Sequence, residues 1–262
     1  MKSMQSALIL KDIRGITASK QSLIAMIVVP LVLTVFIPSV FIILLHFIPN
    51  ELSEFETMLS MLSIDVTQDN MNIAIISLLI NNIMPMFFII IPIMVSSIMA
   101  ASSFVGEKEK RTLETLLYCP LSLKQIFQAK IMSSFIMSTL VSIISFVIMI
   151  IVTQIEIFFT TGMLLLPSYV WLVVLIILSP AVSLIAITLI VRGSAKAQTM
   201  EESQQRSGLL VLPVVFFVAG QFMGLFLVNA WILLGISLAL SVVAYFLMSK
   251  VYKNISYETI LK

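Results

Sequence analysis

Residues 209 to 248 contain no charged side chain and form part of the longest uncharged run in the chain. A helix needs about 20 apolar residues to cross the hydrocarbon core of a membrane. The run is therefore too long for one span, and we predict two helices joined by a tight turn at Asn229 and Ala230. Similar runs recur along the sequence, where mean hydropathy is +1.14 and only 11% of residues are charged. This composition excludes a soluble globular domain, in which about a quarter of residues are charged.

The apolar runs predict an all-α membrane protein with six transmembrane helices. The predicted spans are residues 23–48, 72–105, 131–152, 169–191, 209–228 and 231–249. Residues 1–22 are expected to form a cytoplasmic or interfacial segment, interrupted near Gly15, and residues 250–262 a cytoplasmic tail. We expect a short loop at 153–168. The first apolar run is too long for a cleavable signal peptide and should remain as an anchor.

The charges divide by side of the membrane. All 15 Lys and Arg residues fall in the N-terminal segment, in 106–130, in 192–207 or in the tail. The intervening segments 49–70 and 153–168 carry acidic residues and no base. Because basic residues concentrate on the cytoplasmic side, both termini are predicted to be cytoplasmic. This scheme places Lys124 and Lys130 at the water interface, in the first turns of the third helix.

Residues 106–120 concentrate more charge than any other stretch of the chain. We expect the long second helix to break near Arg111. Thr112 is a suitable N-cap for a short helix over 112–118, which Pro120 would end. Ser122 and Gln125 then have the spacing of a capping box that begins the third helix. The pattern predicts a short cytoplasmic coupling helix between spans two and three.

The residues that carry chemistry in enzymes are scarce in this sequence. It has no phosphate-binding loop of the Gly-x-x-x-x-Gly-Lys-Ser/Thr type, so it is not expected to bind ATP by the usual route. One His and one Cys cannot form a metal or catalytic cluster, and nothing indicates nucleic-acid binding. The predicted spans lack Asp, Glu, Lys and Arg, which argues against proton coupling but leaves sodium coupling open. Energy for transport would most simply come from another subunit.

Polar residues and prolines share one face of the predicted second span, within about 60° at 100° per residue. This face could line a translocation path, or it could pack against neighbouring helices. The candidate path residues are Asn81, Pro85, Pro92, Ser96 and Ser103 on this face, and Gln221 in the predicted fifth span. Gly220 and Gly224 have the Gly-x-x-x-Gly spacing that permits close helix packing, either within the chain or between two copies.

Residues 106–120 resemble the signature of type-2 ABC exporter membrane subunits, closest to sodium-extrusion and antibiotic-export permeases. The segment from Gly193 to Pro213 is similar to the cytoplasmic segment before the fifth span in that family. The resemblance implies a prokaryotic plasma-membrane permease that pairs with itself or with a paralogous permease. It also implies two separate ATP-binding subunits, which hold ATP and Mg. Residues implied in the contact with those subunits are Glu107, Glu109, Arg111, Thr112, Glu114, Leu116, Lys196, Glu201 and Glu202.

Two other functions stay open at this point. The chain could be a membrane sensor or assembly protein that binds a cytoplasmic partner without transporting anything. It could also be a stand-alone secondary carrier, an alternative suggested by Asn81, Asn82 and the prolines in the spans. Sodium-export permeases of the family that the chain resembles often carry larger extracellular portions, whereas the loops predicted here are short, which argues against sodium as the substrate.

Overall fold

The computed structural model describes residues 2–47, 71–109, 112, 120–194, 197, 199–223 and 230–253. Within these ranges the regular structure is entirely helical. Five helices are long and apolar enough to cross a membrane, judged by length and composition. The helices are α1 (Lys2–Ala18), α2 (20–47), α3 (71–109), α4 (Leu123–Thr161), α5 (Val170–Gly193), α6 (Met200–Gly208), α7 (Val211–Phe222) and α8 (Ala230–Lys253).

Helix α3 is the centre of the fold. Its apolar stretch is 89% buried, whereas those of α2 and α8 are 22% and 17% buried. Helices α1, α4, α5, α6 and α7 pack around it. Large apolar side chains such as Phe36, Ile155 and Phe246 point outward from the peripheral helices. Helices that are apolar on the outside as well as the inside are typical of a membrane domain, in which lipid covers the outer surface.

Three of the long helices contain a single π-helical turn that ends two residues before a proline. Proline has no N–H, and its ring clashes with the carbonyl four residues earlier. Widening the helix by one residue per turn relieves this clash and frees backbone carbonyls for other donors. The segments are Val32–Phe36 before Pro38, Leu79–Ile83 before Pro85, and Val174–Leu178 before Pro180.

Two backbone carbonyls in the π turn of α3 accept hydrogen bonds from neighbouring helices. The indole Nε1 of Trp171 donates to the Ile80 carbonyl at 3.1 Å. The amide of Gln221 donates to the Asn82 carbonyl at 3.5 Å. These two bonds attach α5 and α7 to the π turn that precedes Pro85.

Helices α3 and α4 meet along a row of small side chains. Ser134, Ser138 and Ser142 are fully buried on one face of α4, and their small size lets the two helices approach closely. The Ser138 hydroxyl donates to the Pro92 carbonyl at 3.1 Å, and the Ser96 hydroxyl donates to the same oxygen at 2.5 Å. The proline carbonyl thus joins the two helices through hydroxyl groups rather than charges.

Two expectations about helix ends are wrong. Helix α4 continues past residue 152 to Thr161, so the loop predicted from residue 153 begins later. Glu156 therefore lies within the helix and not in a loop. The helix ends at Gly162, which adopts the left-handed conformation with φ 71° that glycine favours at a helix C-terminus. The Gln154 side chain bonds both the N–H and the carbonyl of Leu165 and holds the returning chain against α4.

Helix α1 is not interrupted at Gly15. It runs unbroken to Ala18, and the chain bends instead at Ser19, which is extended and begins α2 as its N-cap. A glycine within a helix costs only about 1 kcal/mol relative to alanine. The burial of Leu8 and Ile16 on one face of α1 stabilises the helix across that position.

Part of the predicted architecture lies outside the described residues. The fifth apolar run forms α7 over the 12 residues Val211–Phe222, which is shorter than the roughly 20 needed to span a membrane. Gly224, Asn229 and, apart from Thr112, the helix predicted at 112–118 lie beyond the described ranges. The six-span count and the side on which each terminus lies therefore remain predictions.

The contact between α3 and α4 predicts the effect of enlarging a buried serine. We expect Ser138→Leu to lower the melting temperature of the detergent-purified protein, because overpacking a close helix contact costs about 1–3 kcal/mol. Val147→Leu adds a methylene on the exposed face of the same helix and should leave the melting temperature unchanged. Equal melting temperatures for Ser138→Leu and the wild type would show that the helices are not closely packed there.

Candidate functional site

Helix α1 lies against the Glu107 end of α3 because one of its faces is apolar. Leu8 packs with Ile126 and Ala129 of α4, and Ile16 belongs to the main core. This docking brings the adjacent residues Lys11 and Asp12 next to the last turns of α3. The position of two charged side chains is therefore fixed by apolar contacts on either side of them.

Five polar side chains from three helices form a closed ring, which we call the ionic ring: Lys11, Asp12, Ser103, Glu107 and Lys130. Lys11 Nζ lies 2.6 Å from Glu107 Oε1, and Lys130 Nζ lies 2.5 Å from Glu107 Oε2. Lys130 also donates to the Ser103 carbonyl. The Ser103 hydroxyl donates to Asp12 Oδ2 at 2.6 Å. Since Lys11 and Asp12 are neighbours on α1, the ring closes.

Lys130 is the most deeply buried charge of the ring, with 1% of its surface exposed, while Glu107 is 8% exposed. An unpaired charge at such a position would be very costly. The ammonium has several partners on α3. Besides Glu107 and the Ser103 carbonyl, it lies 3.4 Å from the Ser103 hydroxyl and 5.4 Å from the Phe104 ring centroid. Two lysines and two carboxylates make the ring neutral.

The predicted placement of Lys130 at the water interface is wrong. Lys130 lies on the same face of α4 as Ser134 and Ser138, which follow it at intervals of four residues, and this face is turned toward α3. Residues at i and i+4 share a helix face. The distance of Lys130 from the start of the helix therefore did not determine its exposure. Lys124, near the start of α4, is exposed as predicted.

The position of Asp12 in the ring disfavours the ionised form of its carboxyl group. Burial raises the pKa of its carboxyl above the ordinary value of 3.8, and the nearby charge of Glu107 raises it further. Lys130, the Ser103 hydroxyl and Lys11 oppose this effect without cancelling it. The carboxyl therefore holds a proton more tightly in the folded chain than an exposed aspartate does.

A cavity of about 250 Å³ adjoins the ring and lies between α1 and the end of α3. Its lining includes Lys11, Asp12, Gly15, Ser102, Gly106 and Thr112. The backbone N–H of Thr112 donates to the Glu107 carbonyl at 2.9 Å, and its hydroxyl donates to the same oxygen at 3.3 Å. Thr112 thus satisfies a free carbonyl at the end of α3. Its predicted role as the N-cap of the next helix involves residues that are not described.

Helix α6 is joined to the same end of α3. Glu109 Oε2 accepts a hydrogen bond from the backbone N–H of Met200 at 3.1 Å. The Thr199 hydroxyl accepts from the N–H of Glu202 at 3.2 Å. Both acceptors satisfy donors that a helix N-terminus leaves free, and a carboxylate there is also favoured by the helix dipole. The charged segments 106–120 and 192–207, far apart in sequence, therefore meet.

The residues predicted for the contact with an ATP-binding subunit fall into three groups. Glu107 is buried and bound to two lysines of its own chain. Glu109 and Thr112 bond backbone groups of Met200 and Glu107, and on α6 Glu202 is half-buried and Glu201 is exposed. The remaining residues lie outside the described ranges: Arg111, Glu114, Leu116 and Lys196. Their roles in the contact remain predictions.

The residues predicted to line a translocation path are buried by, or hydrogen-bonded to, other parts of this chain. Pro92 and Ser96 are buried between α3 and α4. Asn81 accepts a hydrogen bond from the Ser168 N–H at 2.8 Å, and Gln221 is fully buried against α3. Pro85, the proline that follows the π turn of α3, is also buried, as is Gly220. These positions favour the packing interpretation of the polar face, and the path assignment remains a prediction.

Sequence reasoning did not select Lys11, Asp12 or Lys130. One available signal was that Asp12 is the only acidic residue among the first 50, in a segment otherwise basic. Another was the four-residue spacing of Lys130 with two serines. In the described part of the chain, no group of three or more His, Cys, Asp or Glu side chains could hold a metal ion.

The fold defines a multi-pass, all-helical membrane protein. A family model described as "ABC-2 family transporter protein" matches residues 55–201, which is more than half of the chain. The chain therefore belongs to the ABC-2 family of transporters, as a membrane permease subunit. Such subunits typically pair with an ATP-binding subunit and are generally not catalytic. Neither the curated proteins nor the solved structures that were compared gave a significant match.

The environment of Asp12 predicts that Asp12→Asn stabilises the folded chain by an amount that depends on pH. A raised pKa means that the folded chain binds the proton more tightly than the unfolded chain, so ionisation costs stability as pH rises above 3.8. The melting temperature of the variant relative to the wild type should therefore rise between about pH 4 and pH 7. Asparagine keeps an oxygen that can accept from Ser103.

Val147→Leu provides the control, because it changes no titratable group and lies on the exposed face of α4; its melting temperature relative to the wild type should not depend on pH. A difference for Asp12→Asn that falls as pH rises would mean that the lysines lower the pKa of the Asp12 carboxyl more than burial raises it.

Proposed function

We propose that this chain is the membrane-spanning subunit of an ATP-driven exporter, with both termini and the elbow at 106–120 on the cytoplasmic side. Separate subunits would bind ATP and Mg and dock on that elbow. The observation that carries the proposal is the hydrogen bond between Glu109 and the Met200 N–H. It joins the ends of α3 and α6, so the two charged segments can act as one docking surface.

The position of α3 supports a role in transmitting movement. Within the domain this helix bonds Ser168 through Asn81 and Trp171 through the Ile80 carbonyl, and it ends at Glu109, beside the proposed docking surface. The segment Ile73–Glu109 has 37 residues, so it is roughly 55 Å long. Movement of the elbow would be carried along this buried helix, and its π turn before Pro85 offers a place to bend. Binding and hydrolysis of ATP by the partner would supply the energy.

The export direction and the likeness to sodium-extrusion and antibiotic-export permeases rest on the signature in 106–120. The same resemblance supports a pair of permease chains, identical or paralogous, in a prokaryotic plasma membrane with two ATP-binding subunits. The carrier alternative gains no support from Asn81, since its side chain lies within hydrogen-bonding distance of Ser77 and Ser168.

The single cysteine of the chain, Cys119, lies in the proposed elbow and provides a direct test of sidedness. A membrane-impermeant maleimide should label Cys119 in everted vesicles but not in right-side-out vesicles. Bound ATP-binding subunit should reduce the labelling, because it would cover the elbow.

Cys119→Ser should abolish the signal and so identify the labelled site. Labelling of the wild type in right-side-out vesicles alone would place the elbow outside the cell and contradict the proposed function.

The bond between Glu109 and α6 can be tested by two substitutions at one position. Glu109→Ala removes the acceptor for the Met200 N–H, and loss of a helix cap costs about 0.5–2 kcal/mol. We expect several-fold weaker binding of the ATP-binding subunit, measured by co-purification over a range of subunit concentrations. Glu109→Gln keeps an acceptor oxygen and should restore most of the binding. Unchanged binding for Glu109→Ala would show that the bond between Glu109 and α6 does not contribute to the docking surface.

A further inference from the structure

We propose that Lys130 is a positioning residue for transport: through the ionic ring it makes α1 move together with the adjoining ends of α3 and α4. Movement imposed at the elbow then reaches α2 as well as α3. This inference rests on the proposed function for the origin of the movement. The mechanical link itself is a property of this chain alone.

The contacts of Lys130 explain why it acts through other residues. Its ammonium binds Glu107 Oε2 and the Ser103 carbonyl, both on α3. The other Glu107 oxygen accepts from Lys11, and the Ser103 hydroxyl donates to Asp12. Lys130 therefore holds the two α3 side chains in the orientation in which they bind α1. Among the described residues, its removal would leave the Glu107 carboxylate paired with Lys11 alone, on the exposed side.

The ring stands between the proposed docking surface and the first long helix. Glu107 is two residues from Glu109, which binds α6, and its carbonyl accepts from Thr112 at the start of the elbow. On the other side, α1 is connected to α2 through the single extended residue Ser19. A displacement of α1 must therefore act directly on the beginning of α2.

Holding α3 and α4 together does not require charge. Elsewhere along the same contact the two helices are joined by Ser138, Pro92 and apolar side chains. Buried ion pairs are often no more stabilising than well-packed apolar residues, and some serve to fix a particular arrangement. Here the ion pair fixes the position of α1. In the ring, α1 makes one ionic contact with Glu107 and accepts one hydrogen bond from Ser103. Lys130 contacts both of these side chains.

Distance measurements between spin labels test the link. In a Cys119→Ser background, labels at Leu10 of α1 and Val147 of α4, both exposed, report whether the two helices move together. The variant Glu107→Gln/Lys130→Met removes both charges and so leaves no buried unpaired charge. Lys124→Met removes an exposed lysine from α4 and is the control. All are measured in liposomes without nucleotide, and with ATP when the ATP-binding subunit is bound.

We expect one narrow distance distribution for the wild type and Lys124→Met, unchanged by ATP. The double variant should show a broader distribution without nucleotide and a shift on addition of ATP. A wild-type distance that changes with ATP would overturn the proposal, and so would a double variant that matches the wild type. Failure of the wild type to bind any ATP-binding subunit would instead contradict the proposed function, and the nucleotide-free comparison would still decide the role of Lys130.

Discussion

The ion pair between Lys130 and Glu107 is the interaction on which the arrangement of this end of the molecule depends. A lysine that is 1% exposed in an apolar protein is stable only if its charge is matched and its hydrogen atoms are bound. Glu107 and Ser103 meet both needs and use their remaining atoms to bind α1. One buried charge thus links polar side chains of three helices.

The central helix shows how proline can organise a membrane domain. Pro85 is preceded by a π turn whose carbonyls accept from Trp171 and Gln221, and the Pro92 carbonyl accepts from Ser138. The missing N–H of Pro85 leaves a carbonyl of the preceding turn without its helical partner, and the Ile80 carbonyl accepts from α5 instead. The contacts of α3 in the apolar part of the domain are therefore made by hydroxyl, indole and amide groups, and charges are confined to its Glu109 end.

The apolar runs of the sequence predicted the helical class and the approximate positions of the long helices, because hydrophobic length is a strong local signal. The site was less predictable. Hydropathy treats Lys130 as a residue of the water interface, whereas its exposure depends on which face of α4 meets α3. The hydrogen bond between Glu109 and Met200 joins residues 91 positions apart, and no local pattern encodes such a contact. Gly15 was overvalued as a break because helix propensity is weak against tertiary packing.

The proposed function requires that a second polypeptide, which hydrolyses ATP, moves the charged elbow at 106–120 of this otherwise apolar permease. The most direct measurement is ATP hydrolysis by the complex that co-purifies with the tagged chain from its native membrane in mild detergent. A subunit with a phosphate-binding loop should co-purify, and hydrolysis should be lost when the lysine of that loop is replaced. A chain that purifies without any nucleotidase, yet transports in sealed vesicles without ATP, would exclude this function.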